Sequence, residues 1–213
     1  APVDDRGDVL LDDFHRMISP RTKIVAITQV SNALGTVVPV REMAQIAHRY
    51  GARVLIDGAQ SVAHMPVDVQ ALDADFLVFS GHKIFGPTGI GVLYAKQAIL
   101  EDMPPWQGGG NMIDSVSIER TTYRGPPDKF EAGTGHIAGA VGLAAALDYV
   151  SRLGMDFIER YERMLMEYLL QGLDTVPGLR RIGRPLAPAR RRSGRWSRPG
   201  RSGQKCARRS SCR

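Results

Sequence analysis

Residues 75–96, DFLVFSGHKIFGPTGIGVLYAK, restrict the fold of this chain most, because they carry a lysine straight off the end of an apolar run. Phe76, Leu77, Val78 and Phe79 are consecutive and have no helical period, which suits a strand buried on both faces of a parallel sheet. Ser80-Gly81-His82-Lys83 follows at once. Burying an ammonium without a partner is costly, whereas a neutral amine in such a place is the nucleophile that carbonyl chemistry needs. A lysine leaving a sheet edge for solvent would have the same local sequence. The neighbours favour a pocket: Gly81, Gly86, Gly89 and Gly91 allow close backbone approach around Lys83, and Ser80 and His82 offer hydrogen-bond donors to an anion. Residues 86–89 spell a turn, and residues 90–94 a following strand.

The upstream chain supplies partners for that strand. Residues 9–18 have the pattern of a short amphipathic helix. Residues 23–30, KIVAITQV, spell a second buried strand that ends in the polar turn Ser31-Asn32-Ala33-Leu34-Gly35. Val40, Met43, Ala44, Ile46 and Ala47 recur at helical spacing, with Gly51 placed as a stop. Residues 53–56 form a third short strand that runs into Asp57-Gly58-Ala59-Gln60, and residues 67–72 fit one turn of helix. Strand, helix, strand, short helix, strand is an α/β pattern with a doubly wound, mostly parallel sheet, whose ligands bind outside the carboxyl ends of the strands. Asn32, Asp57, Gln60, Ser80, His82 and Lys83 all fall at that end. Singly, each has a plain structural account; their shared location is what points to a site.

Beyond it, residues 103–113 form a loop too rich in glycine for packed core. Residues 130–135 make another turn, where Gly133 and Thr134 open a helix over residues 137–150 and either bind an anion or simply cap it. Residues 156–173 form a long amphipathic helix with Phe157, Tyr161, Leu165, Tyr168 and Leu169 on one face, and residues 178–183 spell the start of a further strand.

Charge divides the chain. Residues 184–213 hold eleven of the 28 Lys and Arg and no acidic residue, which leaves 17 basic against 22 acidic residues, or −5, in the rest. The +6 net charge therefore belongs to the tail. Both cysteines, Cys206 and Cys212, lie there too, so the body has no disulfide framework and no cysteine metal site, and no other metal-ligand pattern stands out. No apolar run is long enough for a bilayer and there is no signal-peptide pattern, so the expected location is cytoplasmic. The tail is too poor in aliphatic side chains to fold and has the look of a frameshifted or disordered segment. Its functional rival is a basic nucleic-acid arm with Trp196 as a stacking residue, a role that nothing in the body supports.

Five segments together, VSNALGTVVPV, VLIDGAQSVAHMPVDVQ, the lysine segment, GGGNMI and FEAGT, resemble the SufS-type (group II) cysteine desulfurases of the class V aminotransferase family, over residues 18–183. The resemblance implies a fold-type I enzyme dependent on pyridoxal 5'-phosphate. Residues 1–150 would be a partial large domain, 151–183 a connecting helix and the start of a small C-terminal domain, and 184–213 the tail. It implies Lys83 as the Schiff-base lysine and Asp57 as the carboxylate facing the pyridine nitrogen. Gln60 matches the residue on the phenolic oxygen, Ser80 and His82 the phosphate ligands, Thr134 the threonine that reaches the phosphate of the neighbouring subunit, and Asn32 the residue near the substrate carboxylate. The implied reaction takes L-cysteine to L-alanine and leaves a persulfide, in a homodimer that passes sulfur to an acceptor of the SufE or SufU type for iron–sulfur cluster assembly.

Against that pattern the chain is expected to be truncated at both ends, without the histidine that stacks on the cofactor and without the persulfide-forming cysteine, whose context Cys206 and Cys212 do not match. Other readings are a class V enzyme with another substrate, such as a selenocysteine lyase or an aminotransferase, and an inactive fragment with exposed apolar surface.

Overall fold

The computed structural model describes residues 1–183. Its main sheet joins β1 (Ile24–Thr28), β2 (Arg53–Asp57), β3 (Phe76–Ser80) and β4 (Gly91–Ala95) in that spatial order. β1, β2 and β3 are parallel and β4 returns antiparallel to β3. The mostly parallel α/β sheet expected from the sequence is thus present. Helices α1 (Leu11–Met17) and α2 (Val40–Arg49) flank it, and Gly51, at φ +75°, ends α2 in the left-handed conformation that glycine tolerates best.

The apolar spacing of α2 does what it predicts. Met43, Ala44 and Ala47 are fully buried, against Val54 and Ile56 of β2, Val25 of β1 and Phe14 of α1. A second, smaller cluster lies under the lysine segment, where Ile84 meets Ala63 and two residues of helix α4 (Ile137–Leu153), Leu143 and Val150. Phe79 of β3 touches both clusters.

A buried polar knot fixes where β3 begins. Asp75, 1% exposed, accepts hydrogen bonds from the Val54 amide at 2.8 Å and from His48 Nε2 at 2.8 Å, and its other oxygen lies 3.1 Å from Lys96 Nζ. Asp73 takes His48 Nδ1 at 3.0 Å and Lys96 Nζ at 2.8 Å. Burial alone would push the Asp75 carboxyl up, but the hydrogen bonds from His48, Val54 and Lys96 together outweigh it and hold it below the usual carboxylate range. Asp73 is held low chiefly by its hydrogen bond from Lys96. Lys96 is raised, since its two carboxylate partners outweigh its partial desolvation.

Several expectations are corrected. β1 is not buried on both faces: Ile24 is 54% exposed, because among the described residues β1 is an edge strand. Residues 67–72 do make the expected single turn, with Leu72 N–H to Asp68 O at 3.0 Å and the Asp68 side chain accepting from the Gln70 and Ala71 amides, but it is not continued into a helix. Residues 178–183 make no strand. The glycine-rich loop does reach the core at its end, with Met112 wholly buried.

Two features were not anticipated: helix α3 (Gln97–Asp102) and the hairpin of β5 (Ile113–Val116) with β6 (Thr121–Tyr123). Helix α5 (Met155–Leu173) follows α4 after a 73° bend at Gly154. No single described helix is long and apolar enough to cross a membrane. Cys206, Cys212, Trp196 and the basic tail lie outside the described residues.

Candidate active site

Parallel register sets the geometry. Thr28 of β1 stands beside Asp57 of β2, and Asp57 beside Val78 of β3, so β1 and β2 end together and β3 runs two residues further, across two inter-strand spacings, ~10 Å. Six of the seven residues expected at a site fall on the segments leaving these ends. Asn32 is exposed on the turn after β1, which Ser31 N–H to Thr36 O closes at 2.9 Å. Asp57 is the last residue of β2 and exposed, with one oxygen accepting from the Ala59 amide at 2.9 Å. Gln60, half-buried, immediately precedes the 3-10 turn Ser61–Ala63. Ser80 ends β3, half-buried.

His82 and Lys83 lie in the next 3-10 turn, Gly81–Ile84, with His82 exposed and Lys83 half-buried. Lys83 makes no hydrogen bond or ion pair with any described residue, which leaves its amine for a ligand. The turn that carries it is held on several sides. Gly81 N–H donates to Ile90 O at 2.8 Å and Gly86 N–H to Gly81 O at 2.9 Å. Gly91 lies so close that a Cβ there would stand 2.7 Å from Phe79 O. Phe85, two residues past the lysine, has φ +65°, a left-handed conformation that costs a non-glycine residue ~1–2 kcal/mol and so implies that its surroundings impose it.

Thr134 is exposed in the loop before α4, and no hydrogen bond among the described residues joins it to the lysine turn. Its loop is pinned to the glycine-rich segment by Gly133 N–H to Gly110 O at 2.8 Å and Asn111 Nδ2 to Gly133 O at 2.9 Å. Thr134 is not the cap of α4. That position is His136, whose Nδ1 accepts from the Gly139 amide at 3.4 Å and whose ring lies against Gly89. Two buried polar residues beneath the crevice escaped the sequence reading: Gln29, 3% exposed, and Ser61, 0% exposed, joined by Ser61 Oγ to Gln29 Oε1 at 2.6 Å. The one available signal was a glutamine next to the end of KIVAITQV, a run read as a buried strand.

An amine, a carboxylate, an amide, a hydroxyl and an imidazole thus surround the carboxyl ends of parallel strands. That donor set suits a ligand with a carbonyl carbon, a basic nitrogen and an anionic group. Comparison with known proteins decides the family, since the aminotransferase class-V family matches residues 1–197. The chain belongs to that family.

Its members are pyridoxal-phosphate-dependent. A cysteine desulfurase of Synechococcus elongatus is 60% identical over 183 residues, covering 86% of this chain and 29% of the relative. The S-sulfonic acid form of the cysteine desulfurase CsdA from Escherichia coli superposes with a TM-score of 0.78 at 42% identity, covering 83% of this chain and 44% of that one. The apo cysteine desulfurase of Thermococcus onnurineus gives 0.77 at 45% identity, covering 81% and 43%. The chain therefore spans less than half the length of these relatives.

Proposed function

We propose that this chain is the cofactor-binding part of a cysteine desulfurase of the SufS type, acting on L-cysteine. The observation that carries the proposal is the pairing of Lys83, after β3, with Asp57, at the end of the adjacent β2, in a chain 60% identical to a named cysteine desulfurase. The donor set fits pyridoxal phosphate group by group. Lys83 would be the covalent anchor and Asp57 the anion facing the pyridine nitrogen. Gln60 would donate to the ring oxygen, and Ser80 and His82 would hold the phosphate. Thr134 would serve the phosphate of a partner subunit in a homodimer, which agrees with its exposure and its distance in the chain from the lysine turn. Asn32 would face the substrate carboxylate.

The bound cofactor supplies an electron sink for the pair left on the substrate Cα when its proton departs. Asp57 supports that role by keeping a proton on the ring nitrogen through its negative charge. Lys83 Nζ would be the base that moves the Cα proton. No cysteine lies among residues 1–183, so the thiolate that accepts sulfur is not part of these crevice walls. In this reading alanine leaves, and the persulfide sulfur passes to an acceptor protein for iron–sulfur assembly.

The test is the visible absorption of the chain after incubation with pyridoxal phosphate and gel filtration, with Lys83→Ala beside it. Retained absorbance in the unmodified chain alone supports the site. Equal retention by both chains, or by neither, refutes it.

A further inference from the structure

Gln29 and Ser61 are buried polar groups that the proposed chemistry does not use, and their bonds converge on the segment that does. The Gln29 amide donates to Asp57 O at 2.9 Å, and Val38 N–H donates to Gln29 O at 2.9 Å, so the main chain of Gln29 is fixed between the end of β2 and the segment leading into α2. Its side chain meets Ser61 Oγ at 2.6 Å, and the same Oγ lies 3.2 Å from Gly58 O. The Gly58 amide donates to Val78 O of β3 at 2.8 Å. The four-residue stretch 57–60 is therefore held to Gln29, the residue after β1, from both sides, by main chain at Asp57 and by the side chain of the following Ser61. Both side chains are at least nine-tenths buried, so water does not readily replace the bond between them.

We propose that the Gln29–Ser61 hydrogen bond is a positioning strut, which fixes the 57–60 turn so that the Asp57 carboxylate and the Gln60 amide face the cofactor ring together. Its chemical meaning rests on the crevice being the cofactor site. Its structural content does not. Neither side chain touches the ring in this scheme; each acts through the turn. Without the strut the turn keeps its place at Asp57 but gains freedom from Gly58 to Ser61, where small residues resist motion least.

The experiment compares Gln29→Leu, Ser61→Ala and the double variant in the full chain. Amide hydrogen exchange of the cofactor-free protein is read first. The Gly58 amide should exchange about two- to tenfold faster in each single variant, the range one hydrogen bond spans, with the Gln29 amide, which Asp57 O still holds, and the Val54 and Ile56 amides of β2 unchanged. The double variant should exchange no faster than the worse single, Ser61→Ala, since both singles remove the Gln29–Ser61 bond and Ser61→Ala also removes the Ser61 contact with Gly58 O. Pyridoxal phosphate titrations are read second. Each single variant should bind about two- to tenfold more weakly and show an altered visible band, with the same non-additivity.

Unchanged exchange at Gly58, a uniform rise across β2, or additive effects would overturn the strut, as would unchanged cofactor affinity where the turn has loosened. If the unmodified chain binds no pyridoxal phosphate, the proposed function fails, and the exchange data alone decide the strut.

Discussion

Lys83 and Asp57 divide the proposed chemistry between a group that anchors and a group that tunes, so their substitutions should fail differently. Lys83→Ala removes the only amine on the turn Gly81–Ile84 and should abolish retention of visible absorbance after gel filtration. Asp57→Ala leaves Lys83, Ser80 and His82 in place, and so should retain part of the cofactor. It should still lose solvent deuterium exchange at the Cα of added L-alanine by at least ~100-fold, followed by NMR. Normal exchange in Asp57→Ala would remove that residue from the role. Gly91 tests the scaffold instead of the chemistry. A Cβ there would stand 2.7 Å from the Phe79 carbonyl, a backbone atom that cannot swing aside. Gly91→Ala should therefore cost ~1–3 kcal/mol in urea denaturation, the usual range for forcing extra volume into a packed place.

At the scale of elements, the carboxyl ends of the strands hold the site and the opposite end of β3 holds the clamp. Asp75, His48, Lys96 and Asp73 join α2, β2, β3 and β4 roughly 16 Å from the lysine turn, five strand residues away. Asp75→Asn should destabilise the chain by ~1–3 kcal/mol, less than for a fully dry ion pair, because His48 and Lys96 keep some contact with water. The pH dependence has a definite sign. Asp75 and Asp73 are lowered in the fold, so their stabilisation is fully present above the ordinary carboxylate value of 3.8 and is lost as pH falls below it. Lys96 is raised, so its share is fully present below 10.5 and is lost as pH climbs above it. The difference between the unmodified chain and Asp75→Asn should thus shrink as pH falls below about 3.8 in denaturant titrations. A gap that widened below that pH would contradict this account.

Legibility followed the same division into elements. α2 could be read because its apolar residues recur at helical spacing, β2 and β3 because theirs form short unbroken runs, and all the candidate site residues but Thr134 could be placed because they follow strands closely. The clamp could not, since Asp73, Asp75 and His48 are ordinary polar residues until the fold brings sequence positions 25 to 27 apart into contact. Gln29–Ser61 was hidden for the same reason, at a separation of 32. β5 and β6 are short, and their side chains are mostly exposed or half-buried, so no buried alternation marks them.

Across the whole molecule, burial is uneven. Val54 and Ile56 of β2 are wholly buried, whereas α5 has no buried residue over 19 positions. Its amphipathic face is real but uncovered among the described residues: Phe157 is 41% exposed, Tyr161 46%, Leu165 46% and Tyr168 78%. What holds α5 is mostly its own: stacked Phe157 and Tyr161 rings at 6.2 Å, an Arg163–Glu159 pair at 3.0 Å, and few contacts with α4. Its ties to the site's half of the chain are the half-buried Met155 and Ile158, packed against the cluster of Ala63 and Ile84, and His64 Nδ1 to Glu162 at 3.0 Å, the latter near solvent and worth at most ~1 kcal/mol. Local opening costs least where little apolar surface is covered, so α5 should open well before the sheet does. In amide hydrogen exchange of the isolated chain, α5 amides should exchange at least ~100-fold faster than those of Val54 and Ile56. His64→Ala should speed α5 by a further factor of about two to five and leave β2 unchanged. Protection of α5 equal to that of β2 would mean that its exposed face is covered in solution, and a concentration series by sedimentation would then show whether a second copy of the chain covers it.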